Sequence, residues 1–320
     1  MLKKTILAVL GLLALGTAFF FFRFTVLLPR DIPVQDITLP TAAVEIERGR
    51  YLANHVAVCM DCHSTRNWDY FAGPVVPGTL GKGGEVFDRD TGLPGVIISK
   101  NITPYALANW SDGEIHRAIT GGLQADGDAL FPLMPYDGYR TMEQRDVLAI
   151  IAYLRTLTPI ENDVPDHQLD FPLNLIVNSI PLAAEPQTIN RDDPMEYGGY
   201  LAQVAGCIWC HTPINATNQS VPEQLLAGGH EFVMPGGVVR ASNISSDKAA
   251  GIGNWTQAQF IARFRQYQGG AGRTIPIDEA GNNSLMPWTM YADMNDADLA
   301  AVYAYLMASE ARDNKVVVWD

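Results

Sequence analysis

The five residues Cys59-Met60-Asp61-Cys62-His63 return in form at Cys207-Ile208-Trp209-Cys210-His211, and these two C-x-x-C-H boxes use all four cysteines of a 320-residue chain. In such a box two thiols can add across the vinyl groups of a haem, and the adjacent imidazole becomes the proximal iron ligand. The count is therefore two covalently bound haem c groups, with Cys59, Cys62 and His63 on one and Cys207, Cys210 and His211 on the other. A zinc knuckle is the competing use of C-x-x-C, but it needs two more ligands nearby, and neither box has them. A disulfide framework fits poorly, because four cysteines are sparse for this length and each pair lies only three positions apart.

Around the boxes the chain repeats itself. Ala43 to Ala57 reads as a helix running into the first box, with Tyr51 and Leu52 before it, and Pro194 to Gly206 does the same before the second, with Tyr200 and Leu201. Asn101-Ile102-Thr103-Pro104 is echoed by Asn243-Ile244-Ser245-Ser246. Trp110-Ser111-x-x-Glu114 and Trp255-Thr256-x-x-Gln259 match as capping boxes that each open a short amphipathic helix. Met142 to Leu157 and Met294 to Ala308 share the apolar spacing of a core-packed terminal helix. The order is the same in both copies, which predicts two globular domains, at 41–160 and 191–320, rather than a solenoid. The connection, 161–190 at its narrowest, lies in a stretch with five prolines between Thr158 and Arg191. Within it, Phe171 to Leu182 is apolar but too short to span a bilayer, and is expected along the seam between the domains, contact with a membrane surface or a partner being the alternative.

Residues 1–30 are of different material. Lys3 and Lys4 precede an apolar run from Thr5 to Phe22, followed by Arg23, a second apolar piece and Pro29-Arg30. Eighteen residues suffice to cross a bilayer and exceed a usual signal-peptide core. Cleavage after Ala18 would leave Phe19 to Phe22 as a bare hydrophobic terminus, so a retained membrane anchor in contact with lipid is favoured over a removed leader. The flanking charges do not set its orientation. The net charge of -13 makes nucleic acid an unlikely partner, since nothing could neutralise phosphates along a backbone. Its acidity, shared by both halves, serves solubility or attracts a partner with a basic docking face.

The sixth iron ligand follows by elimination. Phe131-Pro132-Leu133-Met134-Pro135-Tyr136 and Asn283-Ser284-Leu285-Met286-Pro287-Trp288 present Leu-Met-Pro-aromatic at equivalent places, with Met134 71 residues after His63 and Met286 75 after His211. A lone methionine is usually a gap-filling core residue. Recurrence with the same proline and an aromatic in both copies points instead to two axial ligands. Met60 sits inside its own box on the wrong face, Met234 follows His211 by only 23 residues with no methionine counterpart in the first half, and Met142 and Met294, at the start of the last helix, are expected to pack. His55, His116, His167 and His230 have no histidine counterpart in the other copy; His55 is close enough to the first box to keep in view. Tyr136 and Trp288 either pack on the haems or serve as ordinary core aromatics, and Trp110 and Trp255 share that ambiguity.

Together, the boxes, the Asn-Ile-Thr/Ser stretches, the Trp-Ser/Thr helix starts and the Leu-Met-Pro loops resemble the dihaem and multihaem membrane-anchored cytochromes c, most closely the cytochrome subunits of bacterial periplasmic alcohol, sugar-acid and aldehyde dehydrogenases. The resemblance covers about Glu45 to Ala308. It implies an all-α architecture of two tandem cytochrome c domains, with three or so core helices wrapping each haem, and electron relay from a dehydrogenase towards quinone or a terminal oxidase. It also implies haem attachment outside the cytoplasmic membrane, hence a single-pass inner-membrane protein with periplasmic haem domains. Those subunits commonly carry three boxes; this chain has two. A dihaem enzyme of peroxidase or thiosulfate-oxidising type needs an open iron position, which two complete His and Met sets argue against. A purely structural or assembly subunit is the third possibility.

Overall fold

In the computed structural model, which describes residues 2–29, 31–215, 219–234, 236–277 and 283–320, each half is organised around one close crossing of two helices. The leading helix Ala43–Tyr51 lies on the terminal helix Gln144–Leu154, and Pro194–Val204 lies on Asp296–Ala308. Both crossings run through a glycine. A Cβ on Gly49 would stand 1.8 Å from the carbonyl oxygen of Ala149, and one on Gly198 would stand 1.9 Å from that of Ala301. Only hydrogen fits at these points, and the close approach brings Leu52, Ile150 and Ile151 in one half, and Leu201, Val302 and Leu306 in the other, into a common apolar core.

A third helix completes each half. Asp112–Gly121 and Gln257–Arg265 both open with the expected capping box. Ser111 Oγ accepts from the Glu114 amide at 3.2 Å while the Glu114 carboxylate accepts from the Ser111 amide at 2.7 Å, and Thr256 and Gln259 repeat the pair at 3.2 and 2.8 Å. The architecture is mostly helical, at 42% of the chain, rather than all-α. Among the described residues there is a three-stranded antiparallel sheet of Val86–Phe87, Gly95–Ile98 and Gln168–Leu169, and a hairpin of Glu231–Met234 and Gly237–Arg240. Four of these five strands lie in the long segment between a box and the third helix, where the backbone must find hydrogen-bond partners outside a helix.

The halves share one core and meet through a reciprocal pair of hydrogen bonds. Tyr51 donates its hydroxyl to Asp298 at 2.8 Å, and Tyr200, at the equivalent place, donates to Asp146 at 2.7 Å. Asp146 also accepts from Arg48 at 3.0 and 3.2 Å and from Arg191 at 2.9 Å, with its side chain 1% exposed. Burial alone would raise the pKa of this carboxyl. The hydrogen bonds from Arg48 and Tyr200 and the charges of Arg48 and Arg191 outweigh burial and hold it below its ordinary value. His55 sits on the same seam, its Nδ1 3.1 Å from the Met290 carbonyl.

The segment Phe171 to Leu182 is not in that seam. Residues 161–190 wrap the first half: Gln168 and Leu169 pair with Gly95 and Val96, Asp170 donates its amide to Pro94, and Glu185 donates its amide to Arg140 at 2.8 Å. Val177 enters a small apolar cluster with Leu123 and Ala129, all of the first half. The expectation of a seam position fails because these residues find an apolar surface beside the end of the N-terminal helix.

Leu2–Thr25 is a 24-residue helix with no buried residue, the one helix among the described residues long and apolar enough to cross a membrane. At 1.5 Å per residue it spans about 36 Å, more than the roughly 30 Å hydrocarbon core. Met1 and Arg30 of the expected anchor lie outside the described residues, as does Pro235 after Met234.

Gly49→Ala should destabilise by about 1–3 kcal/mol or more, because the added methyl meets backbone rather than a flexible side chain; chemical denaturation measures it. Asp146→Ala should cost about 3 kcal/mol by removing the buried carboxylate that Arg48, Arg191 and Tyr200 share, with Arg191 keeping Glu143. Because the folded pKa of Asp146 is depressed, its stabilisation is complete above the unfolded carboxylate value near 4 and is lost as pH falls through the folded pKa. Acid unfolding of Asp146→Asn should therefore be shallower than that of the parent chain over this window.

Candidate haem sites

Each box is delivered by its leading helix through a left-handed residue. Val58 has φ 46° and ψ 37°, Gly206 has φ 70° and ψ 6°, and each is followed by a single helical turn, Cys59–Cys62 or Cys207–Cys210. One turn places the two cysteines on the same side of the helix. Glycine takes the left-handed conformation freely, whereas a β-branched valine there is strained. The first half carries one more residue between its conserved-position tyrosine and its box, eight steps from Tyr51 to Cys59 against seven from Tyr200 to Cys207. The extra residue is absorbed as a π-turn, Leu52–Val56, which has no counterpart in the second half.

The histidines are held alike. His63 Nδ1 lies 2.6 Å from the carbonyl oxygen of Lys100, and His211 Nδ1 lies 2.7 Å from that of Ser242. A carbonyl can only accept, so Nδ1 carries the proton and Nε2 presents its lone pair. Burial keeps both imidazoles below their ordinary pKa, outweighing these hydrogen bonds, so each is the neutral form that binds metal.

The acceptor carbonyls are fixed by the Asn-Ile-Thr/Ser repeat, whose role the sequence reading left open. Buried Asn101 accepts from the Thr103 amide and hydroxyl at 2.9 and 2.8 Å and donates to the carbonyls of Ile160 and Asn162 at 2.8 and 3.1 Å. Asn243 does the same with Ser245, at 2.9 and 2.8 Å, and with Arg312 and Asn314, at 2.6 and 3.1 Å. Each asparagine thus locks the residue after the histidine's partner to the chain beyond the terminal helix. A glycine closes the other side: Gly83 donates its amide to the His63 carbonyl at 2.8 Å, and Gly228 to that of His211 at 2.7 Å. Both have φ +71°, and a Cβ on either would stand 2.5 Å from the amide nitrogen of Asn101 or Asn243. The signal for these residues was in the sequence as an unexplained repeat.

The Leu-Met-Pro loops share one backbone turn. Pro135 (φ -80°, ψ 49°) and Pro287 (φ -76°, ψ 63°) are centres of inverse γ-turns, closed by the amides of Tyr136 and Trp288 donating to the carbonyls of Met134 and Met286 at 2.8 and 2.7 Å. Just beyond, Tyr139 donates its hydroxyl to the Ala57 carbonyl at 2.9 Å and Tyr291 donates to that of Ala205, tying each methionine loop to the end of its leading helix. Met134 and Met286 are half-buried, while Met60, Met142, Met234 and Met294 are buried, the packing role expected of Met142 and Met294. His116 is buried beside Thr120, and His230 stacks on Phe232 and faces the Trp209 carbonyl. Tyr136 is buried and donates to Leu130; Trp288 packs on Phe264 and Tyr267.

The four thiols are unpaired, and none is fully buried. Burial pushes Cys59, Cys207 and Cys210 up to about 12 and Cys62 up to about 11, so all are protonated at neutral pH. Among the described residues no group of three or more His, Cys, Asp or Glu could hold a metal ion. The donor set instead suits a porphyrin in each half: two accessible thiols on one turn, an imidazole with Nε2 free, and an accessible thioether.

Several relatives carry cytochrome names. The chain is 30% identical over 285 residues to the fructose dehydrogenase cytochrome subunit of Gluconobacter japonicus, covering 83% of this chain and 53% of that one. It is 27% identical over 298 residues to the gluconate 2-dehydrogenase cytochrome c subunit of Pantoea cypripedii, covering 86% and 62%. It is also 28% identical over 258 residues to a diheme cytochrome c-type protein of Cereibacter sphaeroides, covering 78% and 80%. The chain thus spans a little over half the length of the two dehydrogenase subunits and most of the diheme protein. No family model matches it.

Asn243→Ala removes four hydrogen bonds and orphans buried backbone groups, for an expected loss of about 1–3 kcal/mol. It should also free the Ser242 carbonyl, so redox titration should show one haem shifted in potential and the other unchanged; Asn101→Ala should shift the other haem.

Proposed function

We propose that this chain is a membrane-anchored dihaem cytochrome c, with tandem cytochrome c domains at 41–160 and 191–320, that carries electrons one per haem. What supports the reading is that both halves hold the same complete set: two thiols, a carbonyl-oriented histidine and a proline-bounded methionine. Cys59 and Cys62, and Cys207 and Cys210, would hold a haem through thioether links, and His63 with Met134, and His211 with Met286, would supply its iron ligands. A haem so held would supply a one-electron ferrous/ferric couple. The protein's own part would be to fill the iron's remaining ligand sites from its own side chains, leaving none for a substrate, and to raise the reduction potential by pairing methionine with histidine. Tyr139 and Tyr291 brace the two boxes by donating to the carbonyls of Ala57 and Ala205 just before them.

The donor we infer is a dehydrogenase, because the relatives include cytochrome subunits of fructose, gluconate and alcohol dehydrogenases. The acceptor we assign is quinone or a terminal oxidase. The Leu2–Thr25 helix spans the inner membrane once, with residues 31 onward on the periplasmic side.

Met134→Leu and Met286→Leu should each leave both haems covalently attached while abolishing one of two far-red methionine-to-iron bands and lowering one potential, read by absorption spectroscopy and redox titration. Unchanged spectra and potentials would overturn the ligand assignment. A parent protein lacking one of the bands, together with peroxide turnover, would replace the carrier with an enzyme. Stopped-flow reduction of both haems by a co-purified dehydrogenase is the expected result for a relay; haems that stay oxidised during turnover would mark an assembly subunit.

A further inference from the structure

Residues 171–184 contain no charged side chain in a chain that is 18% charged. The stretch has two faces. Val177 turns inward, 4% exposed, to join Leu123 and Ala129, with Ile32 and Phe131 packed against them. Phe171 and Leu182 stay 69% and 47% exposed, and Leu173, Leu175 and Ile176 between them are only half covered. The segment also lies against the last turn of the Leu2–Thr25 helix: Asn178 donates its side-chain amide to the Phe24 carbonyl at 2.9 Å, and Leu173–Ile176 and Val177–Ser179 both contact that helix. Beyond its last turn, Val26 and Leu27 are exposed as well. The apolar surface is therefore continuous with the proposed membrane span at the depth where that span leaves the hydrocarbon. Ion pairs mark its limits, Arg89 with Asp170 and Arg140 with Glu185.

We propose that Phe171 to Leu182 is a second membrane contact, seated in the interfacial layer of the same bilayer that the Leu2–Thr25 helix crosses; this rests on the reading of that helix as a span. The occupant is lipid, because the surface is uncharged, adjoins the span directly and carries large apolar groups that a soluble surface would bury. The contact also orients the protein. Arg117 donates to the Ile32 carbonyl at 3.3 Å, and the backbone at Gln35 comes so close to Gly113 that a Cβ there would stand 2.1 Å from its oxygen, so the chain leaving the span is held on the first half. Phe131, three residues before Met134, backs the same cluster. The first half is then the membrane-proximal one, with its methionine loop towards the bilayer.

The test uses the full-length haem-loaded protein in phosphatidylcholine vesicles, with p-benzoylphenylalanine placed singly at position 171, 182, 12, 44 or 317 and lipid adducts read by mass spectrometry after irradiation. Val44 and Val317 are exposed apolar positions outside the segment, 75% and 65% accessible. Adducts are expected at 171, 182 and 12 and not at 44 or 317. Adducts at 12 without any at 171 and 182 would overturn the second contact and leave the span standing; none at 12 would overturn both. Labelling at 44 and 317 equal to that at 171, or a protein-protein adduct from 171 in place of lipid, would also overturn it.

Discussion

The crossing of a leading helix over a terminal helix at a glycine is the constraint on which both halves depend. At Gly49 and Gly198 the backbones approach to a distance that excludes even one methyl group, and this close packing fixes where the leading helix ends. The box follows from it. A left-handed residue turns the chain at the helix end, one more turn carries the cysteines, and the histidine emerges beside a carbonyl already held by a buried asparagine. Loosening the crossing would shift thiols, imidazole and tyrosine brace together, because Tyr139 and Tyr291 bond to the last carbonyls of the same helices.

The two halves use the same contacts twice and then use one contact on each other. Tyr51 reaches Asp298 and Tyr200 reaches Asp146, so each leading helix is tied to its own terminal helix by packing and to the other half's by a charge-assisted hydrogen bond. The symmetry is incomplete where the surroundings differ. Asp146 collects Arg48 and Arg191, while Asp298 has Tyr51 at hydrogen-bond distance and Arg48 at 3.9 Å.

Much of the local architecture was legible because it depends on neighbours in sequence. Ser111 with Glu114 and Thr256 with Gln259 announced helix starts, and the structure places capping boxes there. Met142 and Met294 are buried, as their place at the start of the last helix implied. Less visible were features made by distant residues. The short strands need partners from other segments, so they carried no periodic signal in runs of two to four residues. The π-turn was hidden in a one-residue difference between the copies. Phe171 to Leu182 read correctly as apolar, but its place depended on the anchor's last turn, which lies some 150 residues earlier in the chain.

By itself the sequence determined the chemistry offered and its stoichiometry: two C-x-x-C-H boxes, two Leu-Met-Pro loops and an apolar N-terminal stretch are properties of residue type and spacing along one chain. Tertiary structure decided what those residues do for one another. Which carbonyl orients each histidine, why Asn101 and Asn243 recur, how the two halves are tied together and where the uncharged segment lies all depend on contacts between residues tens to hundreds of positions apart. Such contacts arise only once helices pack at fixed distances and buried polar groups must find partners, a condition that no local pattern expresses.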